Sequence, residues 1–163
     1  MIILGVDPGT IQLGYGVIAN KDDTMSVVAY GAIKCKGELP ERLCRLYEEL
    51  GKIITKHRPE VLAVESPFVG ENARSAIAIG KAQAIVILAA AQRGLSIFEY
   101  PPATVKQYVA DYGASSKEQV QAMVKLLLEM EELPQPFDAA DALAVAICHA
   151  REDKLKTIKS EGW

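Results

Sequence analysis

Ile2-Ile3-Leu4-Gly5-Val6-Asp7-Pro8-Gly9-Thr10 is the stretch that decides the fold. Its apolar run, rich in β-branched residues, does not alternate with polar positions as a half-solvated strand would. It therefore reads as a central strand covered on both faces. The run stops at a carboxylate, and Pro8-Gly9 turns the chain. Ligands of open α/β sheets bind beyond the carboxyl ends of strands, and Asp7 stands at such an end.

Working outward, Val61 to Val64 is a second fully apolar strand, stopping at Glu65 ahead of Ser66-Pro67. Gly14 to Ala19 and Met25 to Lys36 read as strands joined by the polar turn Asn20-Lys21-Asp22-Asp23. Leu39, Leu43, Leu46, Leu50 and Ile53 recur at three- and four-residue steps, giving a helix that starts near Pro40 and ends at Arg58-Pro59. Asn72 to Arg93 reads as a long helix capped by Gly94. Leu95 to Glu99 is a short strand closed by Pro101-Pro102, and Thr104 to Ala110 a short helix. Ser116-x-x-Gln119 is a capping box opening a helix to about Glu129. The last helix runs from Asp138 to about Glu152. The expectation is one α/β domain over residues 1–152, a mixed five-stranded sheet with helices on both faces. Residues 153–163 read as a frayed, charged tail.

The 163 residues carry a formal charge of −3, half are hydrophobic and 24% are charged. That is the balance of a soluble globular domain, without a signal-peptide pattern or a membrane span, so the cytoplasm is the expected compartment and no membrane a partner. Cys35, Cys44 and Cys148 form no C-x-x-C pair and read as small core residues. A net acidic chain does not coat nucleic acid indiscriminately; any DNA contact requires positive charge gathered on one face.

If the strands ending in Asp7 and Glu65 are parallel neighbours, two carboxylates meet at one sheet edge, an arrangement that is costly unless cations neutralise it. Asp138 and Asp141, three apart, share one face of the last helix. By themselves they fit helix-capping groups, which satisfy free N–H groups and favour the dipole. The buried sequence that follows them, Leu143 to Ile147, turns that face toward the sheet. Four carboxylates without a nearby His or Cys suit Mg²⁺ or Mn²⁺ rather than zinc. Two such ions can activate a water and stabilise the leaving oxygen of a phosphodiester.

The motifs also carry a resemblance. Gly5-Val6-Asp7-Pro8-Gly9-Thr10 with Gly14-Tyr15-Gly16-Val17, Val64-Glu65 with Phe68, and Phe137-Asp138-Ala139-Ala140-Asp141-Ala142-Leu143-Ala144 together resemble the RuvC family of Holliday-junction resolvases. Phe98-Glu99-Tyr100, Val105-Lys106-Gln107 and Lys117-x-x-Val120-Gln121 extend the likeness over nearly the whole chain, from Met1 to about Ala150. The resemblance implies an RNase H-like fold and a homodimer that nicks two strands of a four-way junction symmetrically. It further implies Mg²⁺ or Mn²⁺, two ions per site, bound by Asp7, Glu65, Asp138 and Asp141 as catalytic acids. A branch-migration helicase of the RuvA and RuvB type is the implied protein partner.

The same resemblance places Phe68 where an aromatic stacks on bases, with a hydrophobic staple as the alternative. It places Lys106 and Lys117 near the scissile phosphate, Lys117 as a catalytic residue. A lysine in the first turn of a helix is unfavourable on dipole grounds, which favours a functional Lys117; Lys106 fits a solvated surface position nearly as well. Arg74 and Lys81, on the long helix, are candidate phosphate contacts. Pro67 and Gly80-Lys81-Ala82-Gln83 depart from residues common in the family, so base-specific contacts there do not transfer. Two other classes share part of the pattern. Asp7-x-Gly9-Thr10 with Gly14-x-Gly16-Val17 resembles the first phosphate loop of actin-like and sugar-kinase ATPases, which need a second duplicated domain. A non-catalytic relative of the same fold, such as the YqgF group, is opposed by the presence of all four acids.

Overall fold

β1 (Ile2–Asp7) is buried from Ile3 to Val6 and sits at the centre of the sheet, as its unbroken apolar run requires. The computed structural model describes residues 1–22, 24–67, 70, 72–110 and 115–160. β2 (Gln12–Lys21) pairs antiparallel with β1 and β3 (Thr24–Lys34) with β2, forming a hairpin. After α1 (Leu39–His57), β4 (Val61–Glu65) joins the other side of β1 in parallel. α2 (Ala73–Ala91) leads to β5 (Ser96–Tyr100), parallel to β4. The sheet order is β3-β2-β1-β4-β5, the mixed five-stranded sheet expected. α3 (Pro102–Ala110), α4 (Lys117–Leu127) and α5 (Phe137–Ser160) complete the chain.

The two faces carry separate cores. Leu4, Val6, Leu13, Val17, Leu62 and Val64 pack beneath α1 and α2, against Leu46, Leu50, Val86 and Ala89. Ile3, Ile18, Val61 and Ala63 face the other way, into α3, α4 and α5. One strand thus feeds both layers by alternation, and both need apolar residues. α2 is long and apolar enough to cross a membrane by length and composition alone. Here it is a layer of the core, with Ala82, Val86, Ala89 and Ala90 packed inward.

Several boundaries differ from the sequence reading. Lys21 pairs with Thr24, so Asn20 and Lys21 belong to β2 rather than to the turn. Pro102 opens α3 instead of closing the preceding strand, since its fixed φ and missing N–H suit a first helical turn. Gly94 is not the cap residue of α2, which is Gln92 in right-handed helical conformation; Gly94 has φ +75° in the turn beyond. α5 continues to Ser160, so residues 153–160 are helix and not a frayed tail. The pair Glu152–Lys156, at 3.1 Å and i,i+4 spacing, supports that extension. Cys35 and Cys148 are buried as expected, but Cys44 is exposed on α1.

Candidate active site

Val6 and Val64 are register partners in the parallel β1–β4 ladder, so Asp7 and Glu65 leave the sheet side by side. Across the next ladder, Glu65 pairs with Tyr100. The Tyr100 hydroxyl lies 2.7 Å from His149 Nδ1 and donates to Glu152 at 2.9 Å, tying the end of β5 to α5.

α5 reaches the same edge by lying directly on the sheet. A Cβ at Gly14, the partner of Asp7 on β2, would stand 1.9 Å from the Asp138 carbonyl oxygen. A Cβ at Gly5 would stand 2.1 Å from the Ala142 carbonyl. Neither position admits a side chain. Small residues on both sides, Ala139, Ala142 and Ala146 on the helix, let main chain meet main chain. The first turn of α5 is thereby set against the end of β1. Carboxylate oxygens of Asp7, Asp138 and Asp141 lie within 4.8 Å of one another.

Among the described residues no helix N–H donates to the Asp138 or Asp141 carboxylate. The Pro136 carbonyl accepts from the Ala139 and Ala140 N–H groups. Asp138 instead accepts a hydrogen bond from Gln12 Nε2, at the start of β2. Gln12 was not singled out in the sequence. The contact spans 126 positions, and no local pattern in the sequence signals it.

Glu65 stands outside the close trio but lines the same cleft, of about 240 Å³, with Asp7, Asp141, Lys106 and Lys117. Lys106 comes from α3 and Lys117 from the first turn of α4, so five of the site residues expected from the sequence, these three acids and two lysines, converge here, with Asp138 adjoining. Neither lysine forms an ion pair with a described residue. Arg74 and Lys81 lie elsewhere, lining a separate pocket between α1 and α2. Phe68 falls outside the described residues.

Burial pushes the Asp7 carboxyl up to about 8, reinforced by the charges of Glu65, Asp141 and Asp138 and opposed by Lys117. Glu65 is raised to about 7, first by burial and then by Asp141, with Lys106 and Lys117 opposing. Burial also raises Asp141, while Lys117 pulls it down. The cluster resists full ionisation unless positive charge is supplied. An all-oxygen donor set without nitrogen or sulfur suits a hard divalent cation.

An RNase H-like sheet with clustered acids and flanking lysines at its strand ends defines a metal-dependent nuclease. Comparison makes that class specific. Residues 3–149 match the family model for crossover junction endodeoxyribonuclease RuvC. The chain is 49% identical to crossover junction endodeoxyribonuclease RuvC of Dehalococcoides mccartyi, over 99% of each chain. It is 50% identical to that of Pelotomaculum thermopropionicum, over 96% of this chain and 99% of the relative. The solved Thermus thermophilus RuvC superposes with a TM-score of 0.88 at 33% identity, covering 96% of this chain and 98% of the other. The same protein in complex with a Holliday junction substrate gives a TM-score of 0.89, covering 96% and 97%. The chain belongs to the RuvC family of crossover junction endodeoxyribonucleases and is an endonuclease that resolves four-way DNA junctions.

Proposed function

We propose that the chain cuts two strands of a four-way junction symmetrically as a homodimer in the cytoplasm, using two Mg²⁺ or Mn²⁺ ions per site. The observation that carries this reading is the convergence of Asp7, Asp138 and Asp141 within 4.8 Å, with Glu65, Lys106 and Lys117 lining the adjoining cleft. Asp7, Asp138 and Asp141 offer oxygens to one ion, and Glu65, beside Asp7, is available to a second. The bound cations would polarise the phosphodiester and lower the pKa of an attacking water. Lys117 and Lys106 offset the repulsion between this acidic centre and a phosphate, Lys117 as the catalytic cation and Lys106 as a DNA contact. Gln12 holds Asp138 in one orientation, leaving its other lone pairs for metal.

A two-fold dimer supplies two equivalent sites to a junction of nearly matching symmetry. Leu88, exposed on the second half of α2, fits the subunit contact in this reading. Phe68 is assigned base stacking, worth about 1–3 kcal/mol per base. Arg74 and Lys81 are assigned contacts to phosphate. A branch-migration helicase of the RuvA and RuvB type would present the junction.

The test offers a labelled four-way junction and a linear duplex of matching sequence, with Mg²⁺ or with chelator. Paired nicks confined to the junction and dependent on metal are expected. Equal cutting of both substrates would remove the structural selectivity and leave only a nuclease. Phe68→Ala is expected to weaken junction cleavage without changing fold or metal binding; undiminished cleavage would reject stacking.

A further inference from the structure

Thr10, three residues beyond Asp7, is buried, and its hydroxyl accepts from Arg42 Nη1 of α1 at 3.2 Å. The Arg42 Nε is enclosed and has no hydrogen-bond partner. Arg42, Thr10, Arg74 and Lys81 line one pocket of about 280 Å³, floored by Leu39, Ile77 and Ala78. Arg74 and Lys81, seven apart on α2, project from one helical face. Among the described residues no carboxylate lines this pocket, and none of its three cations forms an ion pair.

An enclosed, unanswered guanidinium N–H on Arg42 is unfavourable, and the exposed cations Arg74 and Lys81 beside it add like charge. An anion with several acceptor oxygens satisfies all of them, and phosphate fits the guanidinium fork better than any protein group present. The pocket opens beside the loop that leaves the metal centre. We infer that it is a second phosphate-binding site, which grips a backbone phosphate of the DNA strand passing from the metal centre between α1 and α2. The inference rests on the junction-nuclease reading and adds Arg42 and Thr10 to the residues that hold DNA. Arg42 thereby couples DNA-strand position to the loop that follows Asp7.

The test measures junction binding by fluorescence anisotropy over a salt series, with Ca²⁺ in place of the catalytic ion. Each phosphate contact contributes about 0.9 to the slope of log K against log salt for duplex DNA. Arg42→Gln and the double change Arg74→Gln with Lys81→Gln are each expected to lower that slope, by up to about 0.9 for the one phosphate held. Arg42→Lys is expected to restore slope but not full affinity, because the fork is lost. Arg74 and Lys81 are exposed, so the double variant keeps the fold even if Arg42→Gln does not. An unchanged slope in the double variant overturns the site, as does a change in oligomeric state without a change in slope. The same variants are measured on linear duplex. Wild-type protein that cuts no junction while the duplex slope still falls would sink the parent reading and spare the pocket.

Discussion

The two faces of the sheet are filled by different means. On the α1–α2 face, large aliphatic side chains interlock: Leu4, Leu13 and Leu62 against Leu46, Leu50 and Val86. On the α5 face, Gly5 and Gly14 remove the side-chain layer, and the helix backbone rests on the strand backbone. Interlocked side chains set the spacing through many soft contacts and can readjust. Main chain against main chain has no such slack. The face that fixes the acids is therefore the one packed by glycine and alanine, and the opposite face contributes mainly stability.

Substitutions on the two faces should separate these roles. Gly14→Ala would drive a methyl into the Asp138 carbonyl and displace the start of α5. The expected result is loss of metal binding and cleavage, with a stability loss of about 1–3 kcal/mol from overpacking. Leu50→Ala on the other face should cost about 2–5 kcal/mol, yet the folded fraction should keep its metal affinity. Urea melts paired with Mn²⁺ titration check both. Equal loss of metal binding in the two variants would erase the distinction between the faces.

Gln12→Ala tests a finer part of the same geometry. It leaves Asp138 without its hydrogen-bond donor, and changes of this kind typically cost about 10–100-fold in metal affinity or activity. Stability should barely change, and the loss should be seen in metal affinity before it is seen in the melting curve.

A further test is a pH dependence. Asp7 and Glu65 hold their protons to about 8 and about 7 in the fold, against ordinary values of 3.8 and 4.5. Over that window the folded state binds more protons than the unfolded chain. Stability without metal should therefore fall as pH rises from about 4 to about 8. Divalent metal should flatten or reverse the slope, because it binds the ionised carboxylates, and its affinity should climb over the same interval. On the α1–α2 face, Leu50→Ala should shift the whole curve without altering that window. Thermal melts with chelator and with Mg²⁺ across this range give both slopes.

Much of this site was readable in the sequence, for reasons particular to each residue. Asp7 and Glu65 could be placed because each ends a wholly apolar strand, and the parallel register that joins them follows from both strands being buried. Asp138 and Asp141 were open to two readings, since three-residue spacing in a first helical turn serves capping and metal binding alike. In the structure the Asp138 carboxylate accepts from Gln12, a contact that neither reading anticipated. Gly14 and Gly16 were visible as a motif, but their role depends on a helix more than a hundred residues away. Gln12 was hidden for the same reason. The helical course of residues 153–160 was missed because charge was taken for fraying, whereas Glu152 and Lys156 pair along a continuous helix. The basic pocket of Arg42, Arg74 and Lys81 needed α1 and α2 to be set side by side.

The central claim is that the four carboxylates are gathered for metal and not for the fold. Thermal melting of wild type and Asp7→Asn, each with chelator and with Mn²⁺, tests it most directly. Because the Asp7 carboxyl is buried among other acids, its replacement by an amide should leave the metal-free variant at least as stable as wild type. The same change should abolish stabilisation by Mn²⁺ and, with it, junction cleavage. A variant that melts lower without metal, yet is still stabilised by Mn²⁺ and still cuts the junction, would contradict the account.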